Sequence, residues 1–243
     1  EIIQVIGVIH MKVEVWSDFA CPFCYIGKTR FENALSKFQH RDQVEIEYKA
    51  YQLNPVAPKL MEGSAIEAFA KGHHTTVEKA SEKFKMFVEQ AKTVGLNYDY
   101  ENIKLTNTFD AHRVAKWANT FGLEADISER FMSAYFTEGL NIADPETLIQ
   151  LGVEVGLDEK GLKEVVESDK YADLVNEQIQ EGRQVGVQGV PFFVLNNKYG
   201  VSGAQQEEYF SQVLDHLWKE SQELETIGEA DSSQTCDDEG CSI

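Results

Sequence analysis

A strand–helix–strand opening and a strand–turn–strand–helix ending stand at opposite ends of this 243-residue chain, and residues 62–186 between them carry only helical periodicity. That leaves about 125 residues of helix between two α/β pieces. At the opening, residues 12–16 alternate and are rich in Val and Trp, a strand signal. Phe31, Leu35 and Phe38 then recur at helical spacing. Pro22 is tolerated only in a first turn, so that helix begins around Cys21. Residues 44–51 alternate again and complete a right-handed βαβ unit if the two strands run parallel. At the far end, Phe192 to Leu195 and Tyr199 to Ser202 read as strands joined by an Asn196-Asn197 turn, followed by an amphipathic helix over about 205–219.

Inside the insertion, Thr75 with Glu78 three residues on reads as a capping box. The helix after it should bury Val77, Ala80, Phe84, Phe87, Val88 and Ala91. Further helices are expected over about 109–121, 124–138, 158–167 and 170–185. One more opens at Asp144-Pro145-Glu146, an N-cap followed by Pro at the first helical position. Gly95, Gly122, Gly156 and Gly186 sit where these helices should stop. Trp117, Phe121, Phe131, Tyr135 and Phe136 have helical spacing and are expected in the core, with some of them lining a groove over the site.

Charge narrows the function. Lys plus Arg total 22 against 41 Asp plus Glu, a formal net charge of −19. That sign repels phosphate backbones and anionic lipid, which argues against a nucleic-acid or membrane-surface protein. Residues 220–243 hold eight acids and no base and read as a disordered acidic tail. Residues 1–10 lack a basic n-region and a small-residue cleavage site, so they do not read as a secretory signal, and Met11 reads as the natural start. The expected compartment is the cytosol, where a CxxC is more often catalytic or metal-binding than structural.

The four cysteines are paired in sequence: Cys21 with Cys24, and Cys236 with Cys241. Cys21-Pro22-Phe23-Cys24 falls at a strand-to-helix junction. There the free amides and the dipole of a helix N-terminus stabilise a thiolate, and only a thiolate attacks a disulfide. Cys21 lies nearer the open end and is assigned as nucleophile; Cys24, one turn deeper, can reach back to resolve the mixed disulfide. The second motif is Gly189-Val190-Pro191-Phe192-Phe193. Pro cannot donate to a sheet ladder, so one directly before a strand needs a reason. A cis peptide at Val190–Pro191 beside the thiols supplies one, leaving Val190 backbone groups to pair with a bound peptide.

Together, residues 17–28, residues 186–194 and Val201-Ser202-Gly203-Ala204-Gln205 resemble the FrnE-like branch of the DsbA oxidoreductases. The resemblance spans roughly 12–219. It implies an α/β, thioredoxin-like fold with an inserted all-helical domain, divided as 11–60 and 187–219 for the thioredoxin-like part, 61–186 for the insertion and 220–243 for the tail. It implies thiol–disulfide oxidoreductase or isomerase activity on protein or peptide thiols. Cys21 and Cys24 form the redox pair, Pro191 is the cis-proline, and Val190, Pro22 and Phe23 line the substrate site. No metal and no organic cofactor is implied; glutathione is a candidate reductant and a separate redox partner is expected. Some members carry a C-terminal CX4C, and Cys236 to Cys241 match that spacing as an auxiliary redox pair.

Two departures from DsbA matter. The dipeptide between the cysteines is Pro22-Phe23, without a His, which implies a potential more reducing than DsbA's ~−120 mV. The position of the family's buried proton-relay acid, six residues before the nucleophile, is Val15; Glu14 or Asp18 could stand in, but alternation puts Glu14 on the opposite face. Asp18 and Gln188 lie near the motifs without an assigned role. His112 is expected to be a packed or capping residue, and His73-His74 a solvated loop rather than a metal site. Two other functions stay open. The related fold with the same insertion serves glutathione-dependent transferases and 2-hydroxychromene-2-carboxylate isomerases, in which Ser typically takes the catalytic position. A zinc- or partner-binding module could instead use all four cysteines.

Overall fold

The computed structural model describes residues 11–61 and 63–222. The opening forms β1 (Met11–Ser17), α1 (Pro22–Lys37), a 3₁₀ turn (Arg41–Gln43) and β2 (Val44–Ala50). β1 and β2 run parallel, with Met11 opposite Val44 and Ser17 opposite Ala50, so the βαβ unit is present. The ending forms β3 (Phe192–Leu195), β4 (Tyr199–Ser202) and α9 (Glu207–Ser221). β3 lies antiparallel to β1 and β4 antiparallel to β3, giving the strand order β2-β1-β3-β4. β1 lies between β2 and β3, and its residues from Val13 to Trp16 are buried on both faces, Met11, Val13 and Val15 on one and Glu14 and Trp16 on the other. Asn196 and Asn197 both adopt positive φ, which suits the right-handed twist of a two-residue hairpin turn.

On one face of the sheet, Met11, Val13 and Val15 pack with Phe31, Phe193, Phe210 and Leu214 from α1, β3 and α9. On the other face, the Trp16 indole N–H donates to Gln178 O at 2.9 Å, and Lys49 reaches Glu181 at 3.0 Å. Both partners belong to α8 (Ala172–Gln184). Gly182 makes that approach feasible, since a Cβ there would meet the Trp16 ring at 2.6 Å.

The helices between the two ends are α2 (Ala65–Gly72), α3 (Val77–Lys92), α4 (Phe109–Asn119), α5 (Glu124–Phe136), α6 (Pro145–Glu154), α7 (Glu159–Val166) and α8. Asp144 caps α6, its carboxylate accepting Thr147 N at 2.9 Å. Gly95, Gly122, Gly156 and Gly186 all adopt positive φ after helix ends. Two expectations fail. The N-cap of α3 is Thr76, not Thr75, and its hydroxyl accepts Lys79 N. Val77, the first residue of α3, is 48% exposed, while Ala80, Phe84, Phe87 and Ala91 are buried. Phe121 falls beyond the end of α4 and is 57% exposed, packing only edge-on against Trp117 at 5.1 Å. Phe131, Tyr135 and Phe136 are fully buried. α9 continues to Ser221, two residues past its expected end.

Candidate functional site

Cys21 is the N-cap residue of α1, with extended backbone angles and Pro22 at the first helical position. The chain reaches it through a turn closed by Cys21 N donating to Asp18 O at 3.0 Å. Pro22 suits this place because its fixed φ fits the helix and its missing N–H would have no intrahelical partner there. Cys24 lies one turn on, and Cys24 N donates to Cys21 O at 3.0 Å. Tyr98 Oη holds the same turn from outside by donating to Pro22 O at 2.8 Å.

The two sulfurs have different surroundings. Cys24 is 1% exposed, and Asp18 N donates to its Sγ at 3.5 Å. Burial, with the Cys21 sulfur beside it, pushes the Cys24 thiol well above its ordinary range. Cys21 is 4% exposed but forms part of the wall of a cavity of about 630 Å³. Its Sγ donates to Val190 O at 3.5 Å.

Val190 precedes a cis peptide to Pro191. Pro191 O accepts Gly203 N at 2.8 Å, which ties the bend at the start of β3 to the end of β4. The Pro191 ring packs against α1 over Gly27, where a Cβ would meet Pro191 Cγ at 2.9 Å. Gly27 is therefore the seat of the proline. Its signal in the sequence was a lone Gly inside a helical pattern three residues after the CxxC, which the periodicity reading left without a role.

The structure thus gathers Cys21, Cys24, Pro22, Phe23, Val190 and Pro191, residues from two segments far apart in sequence, at one end of α1. Phe23 packs edge-on against Phe87 at 5.3 Å. Cys236 and Cys241 lie outside the described residues. Gln188 is exposed.

The candidate acids separate as alternation requires. Glu14 faces away from the thiols, within 2.9 Å of Lys12 and 3.3 Å of Lys49. Asp18 is 2% exposed and joins the cavity wall. Its carboxylate accepts Leu53 N at 2.7 Å and Ala20 N at 3.4 Å and stands 3.7 Å from His112 Nε2. His112 is buried, stacks on Phe19 at 4.5 Å and bonds Tyr51 O at 3.0 Å, a packed residue of α4. His73 caps α2 and stacks on Phe69 at 4.0 Å. Among the described residues, no group of three or more His, Cys, Asp or Glu could hold a metal ion, and no helix is long and apolar enough to cross a membrane.

Two tyrosines in the segment between α3 and α4 belong to this region and were missed by sequence reading. Tyr98 holds the CxxC turn, and Tyr100 lines the cavity with a buried hydroxyl that has no hydrogen-bond partner among the described residues. Burial pushes both phenols far above their ordinary range, so both stay protonated. That segment has no helical or strand period, so nothing in its pattern marked them.

An N-capping thiol on a cavity wall, a second thiol one helical turn deeper and a cis-proline beside the first together define a thioredoxin-like dithiol site. Comparison with known proteins agrees. The family model of the DSBA-like thioredoxin domain matches residues 12–215. The crystal structure of a probable DsbA oxidoreductase from Streptomyces coelicolor is 36% identical, with a TM-score of 0.84, covering 96% of this chain and 99% of that one. The chain belongs to the DSBA-like thioredoxin domain family. It is also similar to the uncharacterized protein YwbO of Bacillus subtilis, 24% identical over 208 residues, which are 85% of this chain and 96% of that protein. A 2-hydroxychromene-2-carboxylate isomerase structure shares the fold at 16% identity and a TM-score of 0.66, covering 88% of this chain and 100% of that one.

Proposed function

We propose that the protein is a thiol–disulfide oxidoreductase or isomerase acting on protein or peptide thiols through Cys21 and Cys24. The observation that carries this reading is the asymmetry of the pair: Cys21 at the amide-rich end of α1 on a cavity wall, Cys24 buried behind it. Cys21 caps the N-terminus of α1, the positive pole of the helix dipole. In the reductive direction, Cys21 attacks a substrate disulfide and releases one substrate thiol. Cys24 then attacks Cys21 Sγ, expelling the second thiol and closing the enzyme disulfide. Keeping Cys24 protonated until that moment stops it competing with Cys21 for substrate. In the oxidative direction the same bonds form and break in reverse, and the direction follows the partner's potential.

Pro191 and Val190 act as the platform beside the mixed disulfide, with Pro22 and Phe23 completing its edge. The division into 11–60 with 187–219, the insertion 61–186 and the tail 220–243 belongs to this reading, as do the FrnE-like placement, the cytosolic setting and an auxiliary role for Cys236 and Cys241. Insulin reduction tests it. Cys21→Ser should lower the rate by at least about 1000-fold, as loss of a covalent nucleophile does. Cys24→Ser should accumulate a mixed disulfide, and Cys236→Ser should slow turnover only if the tail relays electrons. Retention of activity by Cys21→Ser would remove the proposal.

A second reading rests on the cavity, whose size suits a small organic molecule. An enzyme of the 2-hydroxychromene-2-carboxylate isomerase kind would isomerise its substrate without needing Cys24, so full activity of Cys24→Ser on such a substrate would favour it.

A further inference from the structure

The cavity wall beside Cys21 carries a chemical preference. Its apolar surface comes from Ala68, Phe69, Phe84, Phe87 and Phe136, contributed by α2, α3 and α5. Among the described lining residues there is no Lys and no Arg. The single carboxylate among them, Asp18, is buried and already bonded to Leu53 N and Ala20 N. Asn54, His73, Thr106 and Thr108 also reach the wall, and Tyr100 differs from them in having a buried hydroxyl without a partner among the described residues, a donor for a neutral acceptor. At about 630 Å³ the space admits a ring together with the atoms joining it to a sulfur.

We propose that this cavity selects uncharged disulfides that carry an aromatic ring, seating the ring among Phe69, Phe84 and Phe87, and that it turns away glutathione disulfide. The inference rests on the thiol–disulfide reading and names the substrate class of that site. Glutathione disulfide would bring carboxylates to a wall that, among the described lining residues, offers no Lys or Arg and already carries the Asp18 carboxyl group, and an unpaired carboxylate is costly to desolvate. A ring loses only water, and an amide or hydroxyl beside it meets Tyr100. The chemistry balances as follows. The Cys21 thiolate attacks one sulfur of RS–SR′, the S–S bond breaks, and R′S⁻ leaves and takes a proton. Cys24, on losing its proton, attacks Cys21 Sγ and expels RS⁻, which takes that proton. Two electrons and two protons pass from the cysteine pair to the substrate sulfurs, and no further reductant enters this half-reaction.

The test uses the full-length reduced protein under single-turnover conditions, with loss of free thiols read by alkylation and mass spectrometry. Three probes are compared: the neutral mixed disulfide of 2-phenylethanethiol and 2-mercaptoethanol, an uncharged cystine peptide with Phe beside each Cys, and glutathione disulfide. Rates are normalised to each probe's reaction with free dithiothreitol. The two ring-bearing probes should react at least tenfold faster than glutathione disulfide, and the faster of the two identifies a small-molecule or a peptide source. Ala68→Trp should erase that preference by filling the space. Ala57→Phe, on the loop after β2, gives the same result from another element if the first variant folds poorly. Tyr100→Phe should slow the peptide probe severalfold. Equal or faster reaction of glutathione disulfide, or an Ala68→Trp protein that folds and keeps the preference, overturns the proposal. A redox-inert thioether, phenethyl methyl sulfide, separates the two levels of argument. If it protects Cys21 from alkylation in wild type and not in Ala68→Trp, the cavity preference stands even where no probe is reduced, and the oxidoreductase reading alone falls. Absence of protection together with absence of exchange overturns both.

Discussion

Two apolar regions meet at α1 and differ in how they are filled. Under the sheet, Met11, Val13, Phe31, Phe193, Phe210 and Leu214 close on one another, and none of them borders the large cavity. On the side of the inserted helices, Phe84, Phe87, Ile103, Tyr135 and Phe136 belong equally to a buried cluster and to the cavity wall that ends at Cys21. α1 contributes Phe31 and Ala34 to the first region and Cys21, Cys24 and Tyr25 to the second. One helix therefore has a structural half fixed by packing and a reactive half beside open space. The lesson is a division of labour: the sheet side holds the N-terminus of α1 in place, and the helical side determines what can approach it.

The sharpest test of that division is a pair of truncations. Phe31→Ala empties a filled core and should cost about 3–5 kcal/mol in urea unfolding. Phe87→Ala enlarges a space that already exists, so about half that loss is expected, accompanied by a changed preference among disulfide substrates. Equal losses from both would dissolve the distinction. A smaller effect is expected at the seam. Gly27→Ala adds helix propensity, worth roughly 0.5–1 kcal/mol, yet places a Cβ 2.9 Å from Pro191 Cγ. Insulin reduction should fall about tenfold while unfolding free energy moves by less than about 1 kcal/mol; an unchanged rate would show that the proline does not need its seat.

Alkylation compares the two thiols directly. At neutral pH, iodoacetamide should label Cys21 well ahead of Cys24, because burial holds Cys24 as a thiol. The lead should shrink as pH rises and Cys24 begins to ionise. The smallest effect lies at the edge of β2. Burial pushes Glu47 up, but hydrogen bonds from Lys12 and Lys49 outweigh it and leave its carboxyl below the ordinary range. That stabilisation is present above the unfolded pKa and is lost as pH falls through the folded value. Wild type should therefore lose up to ~1 kcal/mol more than Glu47→Gln across that acid window, and coincident acid limbs would assign the cluster no net worth.

Much of this architecture was legible because local chemistry and tertiary need coincide. Pro22 marked the start of α1, Asp144-Pro145 the start of α6, and Asn196-Asn197 the hairpin, each through a backbone preference that the fold uses. The α3 cap failed because Thr75 and Thr76 are chemically equivalent as capping side chains, and only the fold chooses between them. Phe121 failed because helical spacing continues past a helix end that Gly122 sets, where its φ is positive. At the site, Cys21, Cys24 and Pro191 stand in motifs and could be read. Gly27, Tyr98 and Tyr100 act only through what lies opposite them, and a single chain read in order contains no signal for an opposite wall.

The placement of β3 has a consequence for how the molecule is made. Val13 pairs with Leu195 across 182 positions of chain, 195 minus 13. During synthesis the first strand and its cysteines leave the ribosome long before the segment that completes their sheet. Such distant pairing is slow to form from a loose coil, and compaction of the intervening helices shortens the span to be closed. Until then both thiols stand without the Val190–Pro191 segment that lies beside Cys21 in the folded protein.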